Sequence, residues 1–179
     1  NITAYRDMGA IIGCGYGQKI TNNSIEGVVN ITIDQKNGFY GEKNANAEVI
    51  LGRNEGEALA TSNTVNAEVT ICYLGTKSKT LSLSKPYNYV FEDLTIKVVD
   101  GDAVKIAENL NTTITLVGNV VLESEAGSGI DATNATLNLV GNTENHLTAK
   151  GNGTHAFGIG GDGANVTLNG VTVDYVCGG

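Results

Sequence analysis

Seven short triplets of the form apolar–x–apolar recur along this chain, and their spacing restricts the fold more than any other feature. They are Ile31-Thr32-Ile33, Val49-Ile50-Leu51, Val69-Thr70-Ile71, Leu94-Thr95-Ile96, Ile114-Thr115-Leu116, Leu137-Asn138-Leu139 and Val166-Thr167-Leu168. Their first residues lie 18, 20, 25, 20, 23 and 29 positions apart. Side chains on a strand alternate faces, so each triplet points two apolar groups one way and its middle residue the other. Five of the middle residues are Thr and one is Asn. Period-two patterning with β-branched residues predicts strand rather than helix. Corner-forming residues follow most triplets, as at Asn37-Gly38, Gly75, Gly118-Asn119, Gly141-Asn142 and Asn169-Gly170. Helical patterning is nearly absent, and residues 102–110 are the one stretch with any claim to it. The fold class is all-β.

Two architectures accommodate such a unit: a one-dimensional parallel stack, or a compact β-sandwich. Sandwich strands recur about every 8–12 residues through hairpins. Here a weaker strand falls inside each longer unit, at 120–124, 146–150 and 171–176, and an apolar residue stands beside glycine at Ile12, Val104, Ile130 and Ile159. Two or three short strands per unit favour a parallel β-helix of about seven coils, with the β-sandwich as the alternative. Stacked units repeat the same residues in the same slot, because each neighbour lies about 4.8 Å away. On that reading Asn30-Ile31-Thr32-Ile33 and Asn165-Val166-Thr167-Leu168 are the same slot in distant coils, and residues 1–179 form a single β-solenoid domain.

Charge narrows the partners. The formal net charge is −8, with only Arg6 and Arg53 as arginines and no basic stripe. Such a surface repels nucleic acid. No apolar run approaches the roughly 20 residues of a membrane-spanning helix. The acidic, Asn/Thr/Gly-rich composition suits an extracellular or cell-surface protein, and a chain opening at Asn1 reads as a segment of something longer, its signal peptide removed. Three cysteines, Cys14, Cys72 and Cys177, follow no zinc-ligand spacing. Seven Asn-x-Ser/Thr sequons, at Asn1, Asn22, Asn30, Asn111, Asn134, Asn152 and Asn165, are what a chain this rich in Asn and Thr produces by chance.

From Ala103 onward the runs "TTITLVGNVVLES", "GSGIDATNATLNLVGN" and "FGIGGDGANVTLNGVTV" resemble bacterial extracellular right-handed β-helix proteins of the pectate-lyase-like superfamily. The pattern is most similar to carbohydrate-binding, adhesin-like β-helix domains. The resemblance covers about 75 residues and implies a lyase, a hydrolase, a sugar-binding module or an adhesin. Catalytic residues do not carry over. A polygalacturonase-like enzyme would show paired aspartates near Gly-His-Gly, whereas His146 and His155 lie in "ENHLT" and "GTHAF". A pectate-lyase-like enzyme would use an arginine, and both arginines lie in the first third of the chain. The reading leans away from an enzyme and assigns no catalytic residue.

Candidate binding residues remain. Tyr87, Tyr89 and Phe91 alternate on one face of a strand; exposed, they would stack against pyranose rings, and buried, they would be core. Tyr16, Phe39 and Tyr40 stand at glycine-rich corners. The middle residues Thr32, Thr70, Thr95, Thr115 and Thr167, with Asn138, predict one outward ladder for an ordered ligand, the plain alternative being the β-propensity of Thr on a solvated face. Ice binding ranks low, since Thr113-Ile114-Thr115 is the one Thr-x-Thr pair. Asp100 and Asp102, near Glu92 and Asp93, are the candidate ligands for calcium, which takes six to eight oxygens, against a solvated corner. Gly160-Gly161-Asp162-Gly163 reads as a turn. Three function classes follow: a carbohydrate-binding or adhesive module, a structural stalk without ligand, and a polysaccharide lyase or hydrolase. Bare stack ends add end-to-end self-association as a further expectation.

Overall fold

The computed structural model describes residues 2–4, 12–13, 20–34, 51–52 and 60–179. Cys14, Tyr16, Phe39, Tyr40, Val49, Ile50, Arg6 and Arg53 lie outside them. Among the described residues the chain is all-β and contains no helix. Every strand pairing is parallel.

The early strands are β1 (Ile2–Ala4), β2 (Ile12–Gly13), β3 (Ile20–Thr21), β4 (Ser24–Asp34), β5 (Leu51–Gly52), β6 (Ala60–Thr61) and β7 (Thr64–Lys77). Then come β8 (Leu81–Leu83), β9 (Asn88–Val98), β10 (Val104–Ile106), β11 (Asn111–Val117) and β12 (Asn119–Ser124). The last are β13 (Ile130–Asp131), β14 (Thr136–Val140), β15 (His146–Gly151), β16 (Ile159–Gly160), β17 (Asn165–Asn169) and β18 (Thr172–Cys177). The stretch 102–110, which carried the only helical claim, is β10 followed by a turn in which Leu110 N–H donates to Ala107 C=O at 3.1 Å. Alternating burial through Val104, Lys105 and Ile106 fits a strand.

The strands line up in rows. The first row runs β1-β4-β7-β9-β11-β14-β17. The second comprises β12, β15 and β18, preceded by the C-terminal parts of β7 and β9. Because β7 and β9 belong to both rows, the two make one curled, ten-stranded sheet. The third row, β8-β10-β13-β16, is a separate four-stranded sheet. From Val104 onward the chain visits the third, first and second rows in that order three times.

Corners of positive φ bend the chain between rows. Asp93 (φ 44°), Gly118 (φ 69°) and Gly170 (φ 70°) turn it from the first row into the second, and Asn109 (φ 62°) and Asn134 (φ 53°) recur at the corner before it. Asn and Asp tolerate this region better than other side chains, and Gly occupies it freely. Gly160-Gly161-Asp162-Gly163 is the expected corner, where Asp162 C=O accepts from Asn134 N–H at 2.9 Å.

Inward residues of all three rows share one core. Ile71, Tyr89 and Ile114 form one column of the first row, Ile96 and Leu122 face them from the second, and Leu83, Val104 and Ile130 close the third. Tyr73 and Phe91 meet edge to face, with centroids 6.3 Å apart. Buried polar groups find partners. Tyr89 Oη donates to Lys85 C=O at 2.9 Å, and Ser124 Oγ bridges Gly101 C=O at 2.5 Å and Gly127 N–H at 2.7 Å.

Two sequence expectations about the repeat are corrected. Leu94-Thr95-Ile96 does not belong with Ile114-Thr115-Leu116: Ile96 pairs with Leu122 in the second row, while Tyr89-Val90-Phe91 fills the first-row slot against Ile114–Leu116. Leu51 pairs with Ile12 in a two-stranded sheet, not with the first row. The N-terminal part also repeats at a longer interval. Ile20 pairs with Ala60 and Ile31 with Ile71, an offset of 40 residues in each case.

Candidate functional site

The outward face of the first row carries the most regular polar feature among the described residues. Following the register across six strands, Asn30 lies opposite Thr70, Thr70 opposite Asn88, Asn88 opposite Thr113, Thr113 opposite Asn138 and Asn138 opposite Thr167. Asn and Thr alternate at every step. With about 4.8 Å between strands the ladder spans about 24 Å. All six are at least partly open to solvent. Asn88 Nδ2 reaches Glu68 Oε1 at 3.4 Å; the other five make no side-chain hydrogen bond to any described residue. Amides and hydroxyls so placed offer donors and acceptors outward.

The alternation comes from a two-residue stagger. Asn30-Ile31-Thr32 and Asn165-Val166-Thr167 look like the same slot, yet the register places Asn30 in line with Thr167, not with Asn165. A shift of two keeps every side chain on its own face. On the last three first-row strands the second ladder, Asn111, Thr136 and Asn165, alternates in the same way. Three of the sequons, at Asn30, Asn111 and Asn165, are therefore surface pairs on this face.

The predicted single Thr ladder is divided. Thr70 belongs to the Asn/Thr ladder. Thr115 stands on the same face one position along, between Val90 and Val140. Thr95 is on the second row, between Thr76 and Val121. Register, which triplet spacing does not encode, separates them.

The aromatic platform is likewise corrected. Tyr89 is 1% exposed and Phe91 0%, so both are core, out of reach of a sugar. Tyr87 is half-buried against the same core. The strand's alternation was legible, but its aromatic side faces inward because it occupies the column of Ile71 and Ile114. The exposed aromatics among the described residues are Tyr175 and Phe157.

Asp100 and Asp102 do not converge on a cation site. Asp100 is exposed, while Asp102 Oδ1 accepts from Ser128 N–H at 2.8 Å and Asp102 Oδ2 lies 3.9 Å from Lys105 Nζ. Asp93 Oδ1 accepts from Asn119 N–H at 3.1 Å. No group of three or more His, Cys, Asp or Glu side chains comes together among the described residues. Asp93 and Asp102 tie successive corners of the chain together.

A charged groove of about 280 Å³ lies on the second row, lined by Lys97, Glu123, Ser124, Glu125, Lys150 and Asn152 with Val98 and Val99. Lys97 Nζ pairs with Glu123 Oε2 at 2.8 Å, and Lys150 Nζ lies 5.3 Å from the centroid of the Tyr175 ring. At the other end of β15, His146 Nδ1 approaches both Asp174 oxygens, at 2.9 and 3.1 Å, beside an irregularity in the β15–β18 register. On the first face, burial and then Glu92 push the Cys72 thiol up to about 12, so it is a thiol at neutral pH.

Sequence reasoning missed both the Asn/Thr ladder and the charged groove. The ladder had a signal: outward positions of β11, β14 and β17 are mostly Asn or Thr. The 40-residue repeat had one too, since Thr21-Asn22-Asn23-Ser24 parallels Thr61-Ser62-Asn63-Thr64. Asn22 and Ser62 share φ near 60°, and Asn23 Nδ2 donates to Asn63 Oδ1 at 2.9 Å. No protein-family model, curated protein or solved structure matches this chain. Among the described residues no helix is long and apolar enough to cross a membrane.

Proposed function

We propose that this chain forms a right-handed parallel β-helix in a bacterial secreted or cell-surface protein and acts as a non-catalytic carbohydrate-binding or adhesive module. Three parallel rows visited in a repeating order support the architecture. Parallel crossovers are right-handed in nearly all proteins, which supports the hand. The observation that carries the function is the six-rung Asn/Thr ladder, five of whose side chains make no hydrogen bond to a described residue. Hydroxyl-rich polymers are the natural complement of such a surface, because each rung can exchange a water hydrogen bond for one to a sugar.

Native gels cast with plant, microbial and mucin polysaccharides, with calcium or with chelator, test this. Selective retardation with polymer length intact is the expected result. Unchanged mobility in every gel would leave the structural stalk as the better account. One observation favours the enzyme instead: carboxylates and lysines meet in the Lys97–Glu123–Lys150 groove, and shortening of a polymer in the same gels would establish it.

End-to-end self-association is part of the proposal. Leu168 (45% exposed) and Val176 (45%) continue the buried columns of Leu139 and Ala149 and are apolar surface that a second copy would cover. Sedimentation across a concentration series tests it, with a single monomeric species as the opposing result.

A further inference from the structure

Resting on the glycan-binding reading, we propose that the ligand is an uncharged, extended polysaccharide that lies along the stack, across the strands of the first row.

The outward positions of β11, β14 and β17 form a three-by-three block. It reads Asn111, Thr113, Thr115, then Thr136, Asn138, Val140, then Asn165, Thr167, Asn169. Eight of these nine side chains are Asn or Thr and none is charged, in a protein of net charge −8. The acidic groups of the first face, Glu26, Asp34, Glu68 and Glu92, stand on β4, β7 and β9, beyond the block. An acidic polymer laid on the face meets no cation in the block and approaches carboxylates at its far end. A neutral polymer meets only donors and acceptors. The charged alternative is on the other row, where Lys97 and Lys150 flank Glu123.

Direction follows from spacing. Along a strand, same-face residues are separated by about 6.8 Å, and across strands by about 4.8 Å. A hexopyranose unit in an extended chain advances by nearly the cross-strand distance. A polymer lying along the stack therefore presents successive sugars to successive rungs, while one lying along a strand soon falls out of step. Each rung contributes little, because a net hydrogen bond is worth about 1 kcal/mol. Affinity then comes from the number of rungs engaged at once.

The test uses the whole chain and gels containing a neutral β-linked glucan, a neutral mannan or a polyuronate, with di-, tetra- and hexasaccharides of the retarding polymer as competitors. Expected are retardation by a neutral polymer that persists at high salt and hexasaccharide competition at least about tenfold stronger than that of the disaccharide. Asn138→Asp, which places a carboxylate in the block, should weaken retardation at least about fivefold. Thr113→Val, which removes one hydroxyl at constant shape, should weaken it without altering the far-ultraviolet spectrum, and Lys150→Ala should leave it unchanged. Retardation by polyuronate alone, lost in salt and with Lys150→Ala, would overturn the inference and move the site to the second row while keeping the glycan reading. A disaccharide competing as well as the hexasaccharide would overturn the ladder in favour of a pocket. Retardation by no polymer would sink the glycan reading with it.

Discussion

Thr113 stands directly opposite Asn138 on the next strand, and neither side chain hydrogen bonds to a described residue of its own protein. A pair so placed is dispensable for the fold. Replacing either with Ala should change unfolding free energy by no more than about 0.5 kcal/mol, the usual range for surface positions. The same variants should lower polysaccharide retardation. Urea denaturation read beside the gels separates the two effects, and a loss of stability well above that range would assign the ladder a structural role.

Phe91 makes the opposite case. It is fully buried against Tyr73, so Phe91→Ala should cost about 3–5 kcal/mol. Tyr89→Phe, which removes the bond to Lys85 C=O, should cost about 1 kcal/mol. Denaturant midpoints check both. A Phe91→Ala protein of unchanged stability but weakened glycan binding would return this strand to the surface.

Gly118 and Gly27 separate strain from collision. Both have positive φ, but a Cβ at 118 would lie 2.1 Å from Asp93 Oδ1, whereas nothing stands within 4 Å of one at 27. Gly27→Ala should cost about 1–2 kcal/mol from backbone strain alone. Gly118→Ala should cost more, and Asp93→Ala in the same chain should recover part of the difference. Equal costs at the two positions would mean that Asp93 swings clear.

Asp131 ties stability to pH. Burial by itself pushes its carboxyl up, but hydrogen bonds from the Thr133 side chain and backbone, together with Lys105, outweigh it and hold the group below the usual carboxylate value. A folded-state value below the unfolded one makes the charged form stabilising. That stabilisation is fully present above the unfolded value of about 3.9 and is lost as pH falls through the folded value. Asp131→Asn should therefore lose stability relative to the parent near neutrality, with the gap closing in acid. A gap that widened on acidification would reverse the assignment.

Cys72 should resist thiol reagents. With its thiol pushed up to about 12, it is protonated at about pH 8, where an unperturbed cysteine is partly thiolate. Mass spectrometry after brief alkylation should find Cys177 labelled before Cys72, with the order abolished in urea. Equal native rates would place Cys72 in a more open setting than β7 gives it.

The sequence by itself determined that the chain is all-β, which side chains of each strand face together, and where many corners fall. Alternation along Ile114-Thr115-Leu116 and the glycine at 118 are local properties, governed by strand geometry and by the cost of positive φ, and they survive in any arrangement of the strands. Only the tertiary structure decided which strands are neighbours and in what register. Leu94-Thr95-Ile96 matches the first-row pattern as well as Tyr89-Val90-Phe91 does, yet the chain turns at Asp93 and sends the former to the second row. Asn30-Ile31-Thr32 fits over Asn165-Val166-Thr167 either in step or two residues out of step. Both registers keep the apolar residues on the inner face, so local pattern cannot choose between them. Packing in the shared core makes the choice, and the alternating Asn/Thr ladder on the outer face follows from it.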